Sequence, residues 1–514
     1  MSKRVFSGRE MAMSRRGFLG ASAAMAAGIA LGGSPKFAEA APNELGTHGV
    51  PVLRPTGGVL RHNLVEKIAS NWVGGRRICT RTYNGRIPGP VIRLKPGDTW
   101  MPTEVNQSPA NPDQNMIPEF MNSPHHLNTF NLHTHGLHVS PQTPADAVDL
   151  EVHPGMSFEH TIAIPANHPA GTFWYHPHNH GGVAMALAGG CAGALIIEGG
   201  PGTVDAVPEI AAAKEQVFMV QELKLDPATG ETLAFDPDLW DAVYPTFTVN
   251  GQVLPTVYMR PGEVQRWRWI VAGVDRFLNL GVEGHTLHQI ANDGINFAAV
   301  EAVPSILAAV ASRFDFLIQA GVPGTYNIVR LPHDQGMGFE PDPPQPIMKL
   351  VVAGNSMTMG LPTTLPRPSL HPHITDAELV DPVTILPRTR TVTMDMADPL
   401  PPNPWPLFMM DNKLFDSARI DQTMKLGTAE EWTVVNTSPE EHPFHIHTNA
   451  IEVVKVDGVA LATPVWGDTF IVHGNSGSIT FRTRFEDFTG QLRSHCHISM
   501  HSDLGMMQAL QIVP

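Results

Sequence analysis

The chain has 514 residues, of which 42% are hydrophobic and 16% are charged, and its formal net charge is −15. This length exceeds one ordinary hydrophobic core, so two or three domains are expected. A surface this acidic argues against nucleic acid as a partner.

The first forty residues differ in composition from the rest of the chain. A basic start leads into "SRRGFL" (14–19), and an uncharged stretch rich in alanine and glycine follows as far as Lys36. This pattern predicts a twin-arginine signal peptide over residues 1–40, cleaved after the small-residue site "AEA" (38–40). No later segment is long and apolar enough to span a bilayer. We therefore expect a periplasmic or secreted protein that meets the twin-arginine export machinery and has no stable membrane insertion after cleavage.

The mature chain has the pattern of a β protein. Its 47 prolines and 46 glycines separate many short segments of alternating polarity, which is typical of β-sandwiches and barrels. Three segments share an Asn-Gly-type turn, an extended run, a glycine-bearing turn and a further strand. They are "YNGRIPGPVIRLKPGDTW" (83–100), "FTVNGQVLPTVYMRPGEVQRWRW" (247–269) and "FMMDNKLFDSARIDQTMKLGTAEEWTV" (408–434). This repetition predicts three copies of one β module.

Two stretches rich in glycine and proline indicate the domain boundaries. They lie at 199–202 and at 360–373. The predicted domains are 41–200, 201–365 and 366–514. The chain has three cysteines, too few for a disulfide framework, and Cys79 and Cys191 either pair or stay as single thiols.

Histidine is unusually frequent, with 25 in the chain, and ten of these residues fall in four short strings. The strings hold His133, His135, His176, His178, His442, His445, His447, His495, His497 and His501. In an extended chain residues i and i+2 project to the same face, so each His-x-His string offers two adjacent imidazoles to a cluster of metal ions. Imidazole binds copper, zinc, iron and nickel, so this spacing alone leaves the metal open.

The last string, "RSHCHISMHSDLGMM" (493–507), also contains a cysteine. If residues 495–497 are extended, His495 and His497 point one way and Cys496 points the other. A trigonal site of two histidines and one cysteine with a distant methionine is the blue-copper arrangement, and His442, His501 and Met506 are the candidates to complete it. A zinc site would instead be closed and rich in cysteine, and it would leave most of these imidazoles unused.

These motifs resemble those of multicopper oxidases of the bacterial, three-domain laccase type. The resemblance covers nearly all of the mature chain and includes "GPVIRLKPGD", "HTHG", "GTFWYHPH", "HPFHIH", "VWGDTFIV", "FRTRFEDFTG" and "HCHISMHSDLGMM". It implies an all-β fold of three cupredoxin-like Greek-key β-barrel domains. It also implies four copper ions per chain, of which one is type 1, one is type 2 and two are type 3.

The resemblance further implies a role for each ligand. His442, Cys496 and His501 would bind the type 1 copper, with Met506 as its weak axial ligand. His133 and His445 would bind the type 2 copper. The type 3 pair would be held by His135, His176, His178, His447, His495 and His497. The trinuclear cluster would then lie between the first and third domains.

The implied function is an oxidase that takes single electrons from phenolic or aromatic amine donors at the type 1 copper and reduces dioxygen to water at the trinuclear cluster. Electrons would pass from Cys496 to its covalent neighbours His495 and His497. Asp146 is expected near the cluster as an acid that supplies protons and is preferred over Asp149. A loop aspartate that caps a turn is the alternative reading of both.

The chain departs from the family pattern in two places. Many bacterial relatives have a glutamate directly after the last type 1 histidine, whereas this chain has Ser502 and then Asp503. Relatives often have a glycine after "HPFHIH", where this chain has Thr448.

Two other functions are compatible with these residues. One is a periplasmic oxidase of Cu(I) or another metal ion in copper tolerance, and the other is a non-catalytic copper-binding protein of the same fold. The scattered residues Met337, Met348, Met357 and Met359 are expected to fill cores rather than to bind Cu(I). His138, His153, His168 and His180 are expected to be surface groups or neighbours of the ligands.

Overall fold

The protein is described by a computed structural model that covers residues 49–111, 121–233, 240, 242–336, 341–367, 372–400 and 404–514. The predicted signal peptide lies outside the described residues. Helices in the described part are short, and they are α1 (Val183–Ala188), α2 (Pro208–Ala212), α3 (Asp376–Leu379), α4 (Ser499–Asp503) and a 3₁₀ turn at Val204–Ala206. Among the described residues, no helix has the length and apolar character needed to span a membrane.

The strands fall into three consecutive groups. The first group is β1 (Val52–Leu53), β2 (Val59–Val73), β3 (Arg76–Tyr83), β4 (Val91–Leu94), β5 (Thr99–Asn106), β6 (His133–His135), β7 (Ser157–Glu159), β8 (Ile162–Ala163), β9 (Gly171–His176) and β10 (Gly193–Ile197). The second is β11 (Lys214–Leu223), β12 (Thr246–Val249), β13 (Thr256–Met259), β14 (Val264–Ala272), β15 (Leu278–Val282), β16 (Leu287–Asn292), β17 (Ile295–Val303), β18 (Ser305–Ala308), β19 (Arg313–Gln319), β20 (Gly324–Leu331) and β21 (Gln345–Val352). The third is β22 (Thr389–Ala397), β23 (Leu407–Met410), β24 (Gln422–Lys425), β25 (Thr428–Asn436), β26 (His442–Ile446), β27 (Ile451–Val456), β28 (Val459–Gly467), β29 (Thr469–Val472), β30 (Gly477–Phe485), β31 (Gly490–Cys496) and β32 (Met507–Val513).

Each group forms two sheets. The first group gives the orders β1-β4-β10-β9-β6 and β3-β2-β5-β7, the second gives β12-β11-β14-β19-β16-β17 and β13-β21-β20-β15-β18, and the third gives β23-β22-β25-β30-β27-β28 and β24-β32-β31-β26-β29. The same early pairing recurs, because β2 and β5, β11 and β14, and β22 and β25 all run parallel. The predicted all-β, cupredoxin-like fold is confirmed. The predicted domain limits at 200 and 365 fall in the chain between these groups, and they stay predictions.

The repeated turn has the same structure in all three groups. Asn84 and Asn250 have φ angles of 52° and 51° and are each followed by a glycine with positive φ, while Asp411 has φ 51° and is followed by Asn412 at 58°. Two successive positive φ angles define the tight turn that Asn-Gly favours. Each first side chain also accepts a hydrogen bond from a backbone N–H of the strand paired with the one before the turn, at Val65 in β2, Met219 in β11 and Thr393 in β22.

The hydrophobic core of the third sheet pair continues into the other two. One buried cluster contains Phe444 and Cys496 from the third group together with Trp174 of β9, the apolar residues of α1, and Ile270 of β14. The ends of the first and third strand groups therefore pack together beside the middle one. Cys79 and Cys191 are both free thiols, which resolves the alternative that the sequence left open.

Candidate metal centre

The four histidine strings lie on two antiparallel strand pairs. β6 pairs with β9, so His133 is opposite His176. β26 pairs with β31, so His445 is opposite His495. The two short pairs come from the first and third strand groups, and His176 and His442 are 266 positions apart in the chain (442 − 176).

Eight imidazoles meet where these pairs face each other, and we refer to them as the eight-histidine cluster. Its members are His133, His135, His176, His178, His445, His447, His495 and His497, and all are buried. Rings from the two ends of the chain stack on each other, with centroid distances of 4.1 Å for His133 and His447 and 3.9 Å for His135 and His445. The Nε2 atoms of His178 and His495 are 3.1 Å apart. Neither end of the chain forms the cluster alone.

The ring nitrogens of the cluster could hold metal ions. Five of these rings each have at least one buried nitrogen with no hydrogen-bond partner in the described structure, namely Nε2 of His133, His176 and His445, Nδ1 of His135, and both nitrogens of His497. An unsatisfied buried polar atom costs about 1–3 kcal/mol, so this many are expected only where a ligand binds them. Three-residue sets with ligand atoms within 4.8 Å of one another include His178, His447 and His495, and also His133, His445 and His447.

Electrostatics keeps these imidazoles in the state that binds metal ions. Burial, assisted by the neighbouring imidazoles, lowers the pKa of a group of six well below the usual value for histidine. The six are His135, His176, His178, His447, His495 and His497. A neutral imidazole has a free lone pair, and protonation would block it.

A second set of donors lies on the other side of β31. Cys496 Sγ is 3.7 Å from Nδ1 of His442 and 3.7 Å from Nδ1 of His501, and these two nitrogens are 3.3 Å apart. All three residues are buried, and burial raises the pKa of the Cys496 thiol. Met506 is fully buried, and its carbonyl oxygen accepts a hydrogen bond of 3.0 Å from the Cys496 N–H. This is a two-histidine, one-cysteine site with a methionine beside it.

The edge of this second site carries aromatic and acidic groups. The ring of Phe408 stacks on His501 at 3.9 Å between centroids. Glu440 Oε2 lies 3.6 Å from His501 Nε2, and Ser438 Oγ lies 2.8 Å from His442 Nε2. His501 is positioned by α4, a one-turn helix that directly follows the His495–His497 segment.

The two aspartates that the sequence predicted as acids near the cluster differ in their burial and contacts. Asp146 is buried, and its Oδ1 lies 3.0 Å from His133 Nδ1, while its Oδ2 accepts hydrogen bonds from the N–H and the hydroxyl of Thr134. Burial would raise the pKa of Asp146, but His133 and these hydrogen bonds bring it below the ordinary value. Asp149 is half exposed and instead accepts a hydrogen bond from Arg493. Of these two aspartates, Asp146 is the one that contacts a cluster histidine.

The two departures from the family pattern also have structural counterparts. Asp503, which follows Ser502, is fully buried, and its two oxygens accept hydrogen bonds from the N–H groups of Gly181 and Ala184. Burial raises the pKa of Asp503 to about 7. Thr448 has φ 67°, a left-handed conformation in which glycine is normally preferred.

Asp468 is a site residue that sequence reasoning missed. Its Oδ1 lies 3.0 Å from His135 Nε2 and 3.3 Å from His445 Nδ1. Burial would raise its pKa, but the Arg313 guanidinium, which donates to both of its oxygens, brings the pKa below the ordinary value. The only sequence signal was its place in the motif "VWGDTFIV" (465–472).

The remaining histidines and methionines that the sequence singled out lie apart from both donor sets. His138 bonds to Thr448 O and Asp487, and His168 Nε2 accepts a hydrogen bond from the His138 N–H. His180 lies beside Asn122, and His153 beside Glu151. Met348 lies in the core of the middle strand group, and Met359 packs against a separate cluster that includes Val264 and Leu317. Met357 is partly buried, and Met337 lies outside the described residues.

Comparison with known proteins identifies relatives that are multicopper oxidases or laccases by name. Three sequence profiles, each described as multicopper oxidase, match residues 65–201, 222–341 and 386–514. The multicopper oxidase mco of Staphylococcus aureus is 25% identical over 84% of this chain and 84% of its own length, and the laccase of Bacillus stratosphericus is 25% identical over 84% and 90%.

The same fold occurs in the solved structure of a multicopper oxidase from Campylobacter jejuni, which is described as a metallo-oxidase. It superposes with a TM-score of 0.74 and 23% identity and covers 90% of this chain and 94% of its own. Copper is the metal that the three profiles imply, and it suits both the imidazole cluster and the histidine-cysteine site. The chain belongs to the multicopper oxidase family.

Proposed function

We propose that this protein is a copper-dependent oxidase that takes single electrons from small phenolic or aromatic amine donors and reduces dioxygen to water. One observation carries the proposal. Cys496, in the histidine-cysteine site, is bonded in the chain to His495 and His497, which belong to the eight-histidine cluster. Electrons accepted at the histidine-cysteine site can therefore pass through covalent bonds to the eight-histidine cluster, where oxygen would be reduced.

The same assignment covers four copper ions. His442, Cys496 and His501 would hold the type 1 ion with Met506 as its axial ligand, and His133 and His445 would hold the type 2 ion. The type 3 pair would be held by His135, His176, His178, His447, His495 and His497. When bound, copper would supply one-electron redox chemistry at the first site and oxygen reduction at the second.

The residues of this chain prepare both sites for that chemistry. Asp146 accepts a hydrogen bond from the Nδ1–H of His133 and so leaves the Nε2 lone pair available to a metal ion. The buried walls around both donor sets keep bulk water away from them. We also propose that Asp146 relays protons beside the cluster, because it is the carboxylate from the predicted pair that contacts a cluster histidine. Its pKa lies below the ordinary value, so it would accept protons and pass them on rather than hold one at rest.

The donor would dock at Glu440, the partly exposed residue beside His501, because Ser438 and Phe408 are both buried. Glu440 is partly exposed, with 16% of its side chain accessible, and its carboxylate is 3.6 Å from His501 Nε2. A carboxylate there can accept a hydrogen bond from the hydroxyl of a phenol or the amine of an aromatic amine. Phe408 is buried and stacks on the same histidine, so it would hold the His501 ring in place rather than contact the donor.

A second candidate function is the oxidation of a metal ion such as Cu(I). Glu440 favours it, because a carboxylate beside the histidine-cysteine site attracts cations, and the Campylobacter jejuni relative is described as a metallo-oxidase. Glu440→Gln distinguishes the two functions. It should slow the oxidation of a cation much more than that of a neutral diphenol if metal ions are the substrate, and Glu441→Gln is the control, since Glu441 is paired with His333.

The test of the proposed function is oxygen consumption by the copper-loaded protein with phenols, aromatic amines and Cu(I), with copper content measured on the same sample. Cys496→Ser should abolish turnover and the visible absorption of the copper-thiolate bond, while most of the copper at the eight-histidine cluster is retained. Cys191→Ser, which removes another buried thiol, should change neither. Full copper loading without oxygen uptake from any donor would instead support a non-catalytic copper-binding protein.

We also propose that the chain is exported through the twin-arginine route to the periplasm or beyond. The support is the sequence "SRRGFL" followed by its uncharged stretch. Replacing Arg15 and Arg16 by lysine keeps the charge but should leave the protein in the cytoplasm. Unchanged fractionation of that variant would refute the route.

A further inference from the structure

The middle strand group supplies no histidine to either donor set, yet two of its charged side chains contact Asp468, the carboxylate beside the eight-histidine cluster. They are Asp293, directly after β16, and Arg313, at the start of β19, and both are fully buried. The Arg313 N–H donates to Asp293 Oδ1 at 2.9 Å, and the guanidinium donates to the Asp293 carbonyl at 3.0 Å. These contacts hold the guanidinium in one orientation.

From this position Arg313 bridges the two ends of the chain. Its guanidinium donates to the carbonyl of Thr172 in β9 at 3.3 Å and to both carboxylate oxygens of Asp468, which lies between β28 and β29. Asp293 Oδ2 accepts hydrogen bonds from the N–H groups of Asp468 and Thr469 at 3.2 and 3.1 Å. The backbone and the side chain of Asp468 are thus both fixed by the middle strand group.

Asp468 in turn faces two cluster histidines. Its Oδ1 is 3.0 Å from His135 Nε2 and 3.3 Å from His445 Nδ1, and its carbonyl oxygen is 2.9 Å from the same His445 nitrogen. The opposite nitrogens, His135 Nδ1 and His445 Nε2, are the ones left without partners. A carboxylate only accepts hydrogen bonds, so each ring places its proton toward Asp468 and its lone pair toward the cluster.

We infer that Arg313 is a positioning residue that, through Asp468, sets the tautomers of His135 and His445 and thereby the copper affinity of the eight-histidine cluster. Without the guanidinium, Asp468 would be a buried anion with no cation bonded to it. It would then no longer be held as an acceptor for two rings at once. Partners of this kind typically change metal affinity by about 10–100-fold.

The surrounding backbone is shaped to admit this contact. A Cβ atom on Gly136, which has φ 86°, would lie 2.3 Å from Arg313 Nη2 and 2.7 Å from Asp468 Oδ2. A Cβ atom on Gly467 would lie 2.7 Å from Asp293 Oδ2. Glycine is therefore required at both positions. Gly136 directly follows His135, and Gly467 directly precedes Asp468.

A purely structural role for Arg313 is the competing explanation, and Arg268 is the matched control for it. Arg268 is equally buried, lies on the neighbouring strand β14, pairs with Asp315 and Glu215, and also reaches Thr172. No described contact joins Arg268 to Asp468. Loss of either arginine should lower stability, but only loss of Arg313 should change the copper cluster.

The experiment titrates Arg313→Met and Arg268→Met with Cu(I) under a competing chelator and then oxidises each sample in air, which converts the bound copper to Cu(II). Copper per chain and the type 2 electron paramagnetic resonance signal are measured on the oxidised samples. Arg313→Met should bind copper about 10–100-fold more weakly at the cluster and show a reduced or shifted type 2 signal, while the blue absorption of the Cys496 site persists. Arg268→Met should retain both signals. Equal copper binding by the two variants would overturn the inference.

Three further variants keep the test decisive. If Arg313→Met does not fold, Arg313→Lys and Arg268→Lys replace the pair, and the same difference between them is required. Combining Arg313→Met with Asp468→Asn should restore part of the lost affinity, because an uncharged amide oxygen can still accept from a ring; a fully additive loss would contradict coupling through Asp468. The inference rests on the proposed function, in which the eight-histidine cluster binds copper. The copper titration of the unmodified protein tests that premise separately.

Discussion

Replacing Asp146 by asparagine tests how a carboxylate prepares one cluster histidine. In the native protein Asp146 accepts from His133 Nδ1 with one oxygen and from the N–H and hydroxyl of Thr134 with the other. Asparagine has the same shape but only one accepting oxygen. If that oxygen faces Thr134, the amide NH₂ faces His133 and forces the ring to accept at Nδ1, which moves its proton to the nitrogen that faces the cluster.

The size of the effect follows from the bond that is lost. A hydrogen bond to a charged group contributes about 1.5–3 kcal/mol to the net stability of an arrangement. Since about 1.4 kcal/mol is a tenfold change in an equilibrium constant, the wrong tautomer of His133 should cost about 10–100-fold in copper affinity. The same range is typical for mutation of groups that orient metal-bound histidines.

The assay is a Cu(I) titration under a competing chelator, together with oxygen consumption at saturating donor. Asp146→Asn should lower copper occupancy and the oxygen-reduction rate, and it should leave the copper-thiolate absorption of the Cys496 site intact. Asp149→Asn is the control, because Asp149 is half exposed and contacts Arg493 rather than a cluster histidine. Native copper affinity and turnover in Asp146→Asn would refute the argument.

Three further outcomes are expected. Glu66 is buried without a hydrogen-bond partner for either oxygen, and burial together with Glu104 raises its pKa well above the ordinary value. The folded protein therefore binds a proton that the unfolded chain releases above the ordinary glutamate pKa. The free energy of unfolding should fall by about 1.4 kcal/mol per pH unit as the pH rises from the ordinary glutamate range toward the folded pKa. Glu66→Gln should reduce this slope in melting temperatures measured against pH, and Glu452→Gln should not, since Glu452 accepts from His373 and from the N–H of Ile374. Thr448→Gly should raise stability by about 0.5–1 kcal/mol, because relief of the left-handed conformation outweighs the added freedom of the unfolded chain, and a lower melting temperature would contradict it. Removing copper with a chelator should lower the melting temperature, since a ligand at a thousand times its dissociation constant contributes about 4 kcal/mol; identical melting of the loaded and stripped protein would contradict metal binding to the folded state.

The parts of the site that local sequence could predict are those that repeat at short range. A His-x-His string places two imidazoles on one face of a strand, and the inserted Cys496 must then face the other way. The repeated turns at Asn84, Asn250 and Asp411 were equally visible, because Asn-Gly-type pairs adopt positive φ angles with little strain. Such features depend on neighbouring residues, so the sequence is enough to find them.

The groups that orient the ligands could not be predicted from the local sequence in the same way. Asp468 and Arg313 are 155 residues apart and belong to different strand groups, and an isolated aspartate or arginine carries no periodic signal. The preference for Asp146 over Asp149 rested only on distance from the "HTHG" string. Which of the two reached His133 depended on the path of the loop after β6, which the pattern of residue types does not specify.

The position of Arg313 gives a physical reason why a strand group without ligands lies between two that share a metal centre. The first and third groups contribute rings that stack face to face, and stacking alone leaves them free to slide by a fraction of a ring width. A bidentate arginine-carboxylate pair has a narrow geometry, and burial makes departure from it costly. Arg313 connects Thr172 of the first group with Asp468 of the third, so it fixes the two halves of the cluster against each other. Metal ligands must be held to within about 0.5 Å, and in this chain the middle group supplies that constraint through hydrogen bonds rather than through ligands of its own.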